Sequence, residues 1–420
     1  METFDVVVIG AGPAGETVAG RCAEGGLSVA IVERELVGGE CSYWGCMPSK
    51  TLIRPGDVIA AARRVPAARA ALTGTVDADA AFASRSQITG DWDDTGALPW
   101  LTDRGITVVR GIGRLADQRR VDVESADGMV RALEARRAVV LATGTRAAIP
   151  PVPGLADAHP WDNRDVTAAT QLPGRLLVLG GGAIGLEMAQ AYRRLGVGQV
   201  TVLEVLPRLL AREEPFAGDE VRVAFDAEGI AVHTGIAITR VDRDDSGTVT
   251  AVLADGTHLV GDELLVAAGR RPATGELGLE HVGLEPGRSV EVDDQLRATG
   301  VPDGWLYAVG DCNGRALLTH MGKYQARIAA DVILGKDAAS IANHGIVPRV
   351  TFTDPQVCAV GLIEADARQH GLGVRTVRHA TGGVAGAGVL GDEFPGTSQL
   401  VIDTQRDVVV GATFVGPGVQ

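Results

Sequence analysis

Apolar runs and polar breaks follow one repeated order along this chain. Residues 4–33 read as an apolar strand ending in Val6-Val7-Val8-Ile9, a glycine turn, an alanine-rich helix and a second apolar strand over 28–32. That is one βαβ unit. The same order returns over 175–204: Leu176-Leu177-Val178-Leu179, a glycine turn from Gly180 to Gly185, a helix to about Leu195, and Gln199-Val200-Thr201-Val202-Leu203. The pattern predicts an α/β protein with two nucleotide-type units. Between them it predicts a helix over 57–72, short alternating strands near 106–110 and 120–124, and an apolar strand over 138–142.

The proline cluster Pro150-Pro151-Val152-Pro153-Gly154 interrupts regular structure and predicts a hinge, with a return near Gly269 to Pro272. A strand over 306–309 ends in Gly310-Asp311, and a helix follows over 319–334. From Pro348 the pattern changes to alternating strands around Thr351, Leu400 and Val408, which reads as a separate α+β piece.

Composition narrows the classes. A chain of 420 residues with 45% hydrophobic and 22% charged content is globular and too long for one small core, so two or three domains are expected. A net charge of -14 without long Lys/Arg runs argues against nucleic acid. The start, Met1-Glu2-Thr3-Phe4-Asp5, leads straight into the first strand without a basic leader, and no long apolar run suits a bilayer, so no membrane association is expected. Five cysteines (Cys22, Cys41, Cys46, Cys312, Cys358) do not make a disulfide scaffold in a chain of this length, which points to a reducing, cytoplasmic setting.

With 56 glycines in 420 residues, about one G-x-G-x-x-G match arises by random placement. Three occur. Gly386, Gly388 and Gly391 lack a preceding strand and are assigned to chance. Gly10, Gly12 and Gly15 follow a strand and open a helix, with Glu33 ending the next strand; Gly180, Gly182 and Gly185 do the same, with Glu204. Here the glycines serve a tight turn, backbone approach to a pyrophosphate and close helix packing, while the acidic residue takes a ribose hydroxyl.

Gly38-Gly39-Glu40-Cys41-Ser42-Tyr43-Trp44-Gly45-Cys46-Met47-Pro48-Ser49-Lys50 follows the first unit. In an ideal helix Cα atoms five residues apart lie about 8 to 9 Å from each other, beyond the roughly 4.4 to 6.8 Å of a disulfide. A bond between Cys41 and Cys46 therefore requires a distorted turn, which Gly45 can supply. Pro48 suits a first helical turn, and that places Cys46 near a positive helix end that favours its thiolate.

This stretch resembles the redox-active disulfide motif of the pyridine nucleotide-disulfide oxidoreductases, the family of dihydrolipoamide dehydrogenase, glutathione reductase and mercuric reductase. Ala142-Thr143-Gly144-Thr145, Gly269-Arg270-Arg271-Pro272, Tyr307-Ala308-Val309-Gly310-Asp311 and Phe352-Thr353-Asp354-Pro355 resemble its later signatures, in its order. The resemblance implies two Rossmann-like domains, binding FAD and NAD(P), plus a truncated α+β C-terminal dimerisation domain, usually in a homodimer. The divisions expected are 1–153 and 273–343 for FAD, 154–272 for NAD(P), and 344–420 for an incomplete interface domain.

By the same resemblance Gly10, Gly12, Gly15, Glu33, Thr143, Gly144, Gly310 and Asp311 serve FAD, and Gly180, Gly182, Gly185, Glu204, Gly269 and Arg270 serve the nicotinamide cofactor. Glu204 favours NADH over NADPH, because a carboxylate accepts from a 2′-hydroxyl and repels a 2′-phosphate; Arg208 and Arg212 are the residues that could take the phosphate. The implied catalytic set is Cys46 facing the flavin, Cys41 attacking the acceptor, Lys50 beside the flavin with Glu187 as its ion-pair partner, and His320 near the ring. The implied substrate is a small disulfide or dithiol, or another electron acceptor. Two departures stand out: the family's C-terminal His and Glu dyad has no match before Gln420, and Tyr43-Trp44 replaces smaller or more polar residues between the cysteines. The competing readings are a quinone or small-acceptor reductase in which the cysteines are dispensable, and a non-catalytic protein holding FAD as a structural cofactor.

Overall fold

The computed structural model of the chain describes residues 1–341, 345–392 and 394–420. Two compact units emerge, one from Met1–Cys46, Thr89–Arg146 and Arg270–His344, the other from Met47–Ile88, Ala147–Gly269 and Gly345–Gln420. The expected division between residues 343 and 344 lies outside the described residues.

The first unit is built on a seven-stranded sheet. β1 (Glu2–Ile9), β2 (Val29–Glu33), β3 (Thr107–Arg110) and β6 (Val130–Leu141) run parallel in the order β3-β2-β1-β6, and the strand Leu306–Ala308 pairs parallel with the far half of β6. Val6, Val7 and Val8 of β1 are all fully buried, so the strand is apolar at successive positions. Each such side chain contributes about 1.5–3 kcal/mol on burial. α1 (Pro13–Glu24) follows β1 and packs against the helix Thr319–Ile333.

β6 is longer than the 138–142 strand expected from sequence. Its first half pairs antiparallel with β5 (Arg120–Glu124), itself paired with β4 (Ile112–Asp117), and its second half lies parallel between β1 and the strand Leu306–Ala308. The exposed pair Arg136-Arg137 interrupts the apolar pattern between the two halves without interrupting the strand.

A four-stranded parallel sheet opens the second unit, in the order Ile230–Thr234, Gln199–Glu204, Arg175–Leu179, Glu263–Val266. Its helix, Ala183–Leu195, follows the Gly180–Gly185 turn. Three antiparallel strands (Ile238–Arg243, Val249–Leu253, His258–Gly261) and a five-stranded antiparallel sheet over 349–416 complete the unit. That last sheet is the α+β piece expected after Pro348. The match at Gly386–Gly391, read from sequence as a loop, falls on a short helical turn, Ala387–Leu390.

One expected helix is displaced. Instead of spanning 57–72, α3 runs Cys46–Arg64, and a separate turn, Pro66–Arg69, follows. Pro48 sits in its first turn, where a missing N–H costs nothing, and the burial of Leu52 and Ile53 carries the helix through Pro55.

Candidate active site

The two glycine turns share one geometry. Gly10 (φ 102°) and Gly180 (φ 122°) adopt left-handed backbone open to glycine. A Cβ on Gly15 would stand 1.9 Å from the Gly10 carbonyl oxygen, and one on Gly185 would stand 2.1 Å from that of Gly180. In each unit the helix can therefore start directly on its turn. Gly12 and Gly182 occupy the N-cap positions, and neither helix receives a side-chain cap. Each N-terminus thus keeps backbone donors and a partial positive charge for an anion.

The acidic residues also behave alike. Glu33 accepts from the N–H groups of Ala11 and Glu35, both at 2.8 Å. Glu204 accepts from those of Gly181 (2.6 Å) and Leu206 (2.7 Å). Burial pushes the Glu33 carboxyl above its ordinary range despite those donors. Asp311 is likewise pushed up by burial and accepts from the Thr145 hydroxyl at 2.9 Å. Uncapped helix starts beside carboxylates held by backbone N–H groups fit a dinucleotide, which brings a pyrophosphate anion and hydroxyl-bearing sugars. Arg208, by contrast, spends its guanidinium on the carbonyls of Leu210 (3.0 Å) and Ala211 (2.6 Å).

The cysteine segment breaks where a bond between the thiols would require it. α2 (Gly39–Tyr43) ends at Trp44, and α3 begins at Cys46. Between them Gly45 lies so close to the preceding turn that a Cβ there would stand 3.0 Å from the Glu40 carbonyl oxygen and 3.5 Å from the Cys41 Cα. The hydrogen bond with Cys46 holds the Cys41 thiol above the usual cysteine range, burial adds to it, and Thr319 and the Lys323 charge oppose it. The Thr319 hydroxyl also meets the Cys46 sulfur at 3.2 Å. Two sulfurs and one hydroxyl thus converge in the first unit.

The remaining cysteines are set apart by burial and place: Cys22 and Cys312 are fully buried in the core of the first unit, and Cys358 lies on the strand Gln356–Gly361 of the second.

Near the cysteines, Arg270 donates to the Thr145 hydroxyl and carbonyl (2.6 and 2.9 Å) and lies 3.7 Å from the Glu40 carboxylate on α2. His320 is exposed in the first turn of the Thr319–Ile333 helix. In the second unit Lys50 Nζ stands 2.7 Å from Glu187 Oε2, and Glu187 is only 5% exposed. The other Glu187 oxygen accepts from the Phe352 N–H at 2.9 Å, and the Lys50 ammonium lies 4.6 Å from the Phe352 ring centre.

Sequence reasoning did not single out Thr319, Arg194 or Phe352 as site residues. Phe352 lies in a stretch noted for its resemblance. Thr319 and Arg194 had no local signal, since a threonine at a helix start and an arginine in a last helical turn are ordinary choices.

Comparison with known proteins gives a consistent result. Residues 4–329 match the family model described as pyridine nucleotide-disulphide oxidoreductase, and residues 347–420 match the dimerisation domain of that family. The chain is 33% identical to a dihydrolipoyl dehydrogenase of Chlorobaculum tepidum, covering 98% of this chain and 87% of that protein. It is 34% identical to dihydrolipoyl dehydrogenase 3 of Pseudomonas aeruginosa, covering 100% and 90%. Among solved structures, the HOCl-induced flavoprotein disulfide reductase RclA from Escherichia coli, in a Cu(II) complex, superposes with a TM-score of 0.86 at 26% identity, covering 100% and 90%. LpdA from Mycobacterium tuberculosis superposes with a TM-score of 0.86 at 27% identity, covering 99% and 90%. Among the described residues no helix is long and apolar enough to cross a membrane.

Proposed function

Because the chain belongs to the pyridine nucleotide-disulphide oxidoreductase family, we propose that it moves two electrons between a reduced nicotinamide and a small disulfide or dithiol through Cys41 and Cys46. The observation that carries this reading is the meeting of Cys41, Cys46 and Thr319 beside a dinucleotide-type turn in one unit. When bound, FAD supplies the relay between the nicotinamide and the cysteines.

In the reductive direction the Cys41 thiolate attacks the substrate disulfide and releases one substrate thiol. Cys46 then attacks the mixed disulfide, releases the second thiol and closes the Cys41–Cys46 bond. Two electrons and two protons restore the dithiol. The Thr319 hydroxyl, 3.2 Å from the Cys46 sulfur, and the Lys323 charge both favour the Cys41 thiolate against the opposing effects of Cys46 and burial. Lys50 is assigned a place beside the flavin by the family resemblance; Glu187 holds its ammonium by a 2.7 Å ion pair. His320 is assigned the flavin's neighbourhood on the same ground.

NADH is the proposed nicotinamide. Both Glu204 oxygens are engaged by backbone donors at the end of their strand, where the carboxylate meets a ribose, and Arg208 is already occupied. The expected kcat/KM is higher with NADH than with NADPH; the reverse order would remove this preference. A homodimer formed through residues 347–420 and a cytoplasmic setting complete the proposal.

Thiol counting tests the function. Anaerobic reduction of the holoenzyme by NADH is expected to raise the reactive thiols by about two per chain, as one disulfide becomes two thiols. An unchanged count would remove the cysteines from the electron path.

A further inference from the structure

In the second unit the Lys50–Glu187 pair is one end of a longer arrangement of buried charge. On α3, Asp57 and Arg64 follow Lys50 at seven-residue steps, so the three share one side of the helix. On the Ala183–Leu195 helix, Glu187, Gln190 and Arg194 form a second stripe. The turn Phe352–Asp354 is gripped by both stripes.

Glu187 accepts from the Phe352 N–H. Gln190 accepts from the Asp354 N–H at 2.7 Å and donates to the Asp354 carbonyl at 2.9 Å. Arg194 donates to the Asp354 carboxylate at 2.9 Å, to Asp57 at 3.2 Å and to both Glu228 oxygens at 2.7 and 3.0 Å. Arg64 pairs with the second Asp354 oxygen. Gly56 makes this approach possible, because a Cβ there would stand 2.6 Å from the Arg194 Cδ.

We propose that the Phe352–Asp354 turn, anchored by Arg194, is a positioning element that sets where the Lys50 ammonium points. The proposal rests on the reading above, which puts the Lys50 ammonium beside the flavin, where its charge favours the reduced flavin, and names what holds the Lys50–Glu187 pair. Lys50 is a long, rotamer-rich side chain, 37% exposed, and its two recorded partners both answer to this turn. Glu187 has one oxygen on Lys50 and the other on the Phe352 N–H. The Phe352 ring lies under the ammonium itself. The turn has no such freedom, since Gln190 fixes its backbone and Arg194 and Arg64 fix its carboxylate. A shift of the turn would re-aim the charge, and the effect of a charge on a reacting centre falls with distance.

The test is a double-mutant cycle in the full-length holoenzyme, read as the rate of flavin reduction by NADH in stopped flow. Arg194→Lys keeps the charge and loses the planar fork, and is expected to slow reduction about 10-fold at unchanged half-saturation and FAD content. Glu187→Gln slows reduction on its own, and the double variant is no slower than Glu187→Gln. Phe352→Leu keeps the N–H donor and removes only the ring; it gives the same non-additive pattern and carries the cycle if Arg194→Lys does not fold. Independent effects, or wild-type rates in both Arg194→Lys and Phe352→Leu, would overturn the proposal while leaving the role of the ion pair intact. A wild-type rate in Glu187→Gln would remove that role and the positioning with it.

Discussion

Cys41→Ser is expected to lower turnover of a disulfide or dithiol substrate by on the order of 10⁴-fold or more, the scale at which removing a covalent nucleophile acts. A serine hydroxyl has the size of the thiol but cannot form a mixed disulfide, so the exchange has no first step. Cys22 and Cys312 are fully buried in the core of the first unit and Cys358 lies on the strand Gln356–Gly361 of the second, so none of these three takes its place. Flavin reduction by NADH should persist, because Cys41 enters only after it. A quinone that takes electrons without thiol exchange should then be reduced at the wild-type rate. Steady-state assays with both acceptors decide the matter. Disulfide turnover within tenfold of wild type would make the cysteine pair dispensable and favour the quinone reductase reading.

Lys50→Met carries the second large effect. Glu187 is 5% exposed, and without Lys50 one of its oxygens loses its charged partner while the other keeps the Phe352 N–H. Because Lys50 is itself 37% exposed, solvent screens part of the pair. The expected loss is about 1–3 kcal/mol, the cost of leaving a buried acceptor short of its partner. Urea denaturation reads it as a lower midpoint, compared between variants and not taken as a two-state free energy. Adding Glu187→Gln removes the uncompensated charge, so the double variant should regain stability without regaining the flavin reduction rate. A double variant less stable than Lys50→Met would show that Glu187 stabilises the fold by other means.

Much of the fold could be read from the chain. Val6-Val7-Val8-Ile9 and Leu176-Leu177-Val178-Leu179 are parallel strands covered on both faces, and such strands are apolar at every position, so they stand out beside their glycine turns. Elements that broke this rule were misjudged or missed. Val374–Ala380 is an edge strand carrying Arg375, Arg378 and His379, most of it exposed, and it has no apolar face to reveal it. Pro48 marked the first turn of α3, but its continuation was hidden by Pro55 and Gly56, local breakers overruled by burial of Leu52 and Ile53. Tertiary packing outweighed propensity there.

The site divides the same way. Cys41, Cys46, Lys50 and the glycine turns lie in short contiguous stretches whose spacing carries physical meaning. The residues that orient them come from far along the chain: Thr319 is 273 residues from Cys46, Glu187 is 137 from Lys50, and Asp354 is 160 from Arg194. No local pattern joins such pairs. Each pair meets within its own unit, because the fold of that unit brings distant segments together.

Stopped-flow reduction by NADH tests the central claim most directly. If Cys46 is the thiol facing the flavin, reduction of the wild-type holoenzyme should produce a long-wavelength thiolate-to-flavin absorption band, and the same experiment with Cys46→Ser should reduce the flavin without it. A band of equal strength in Cys46→Ser would contradict the account.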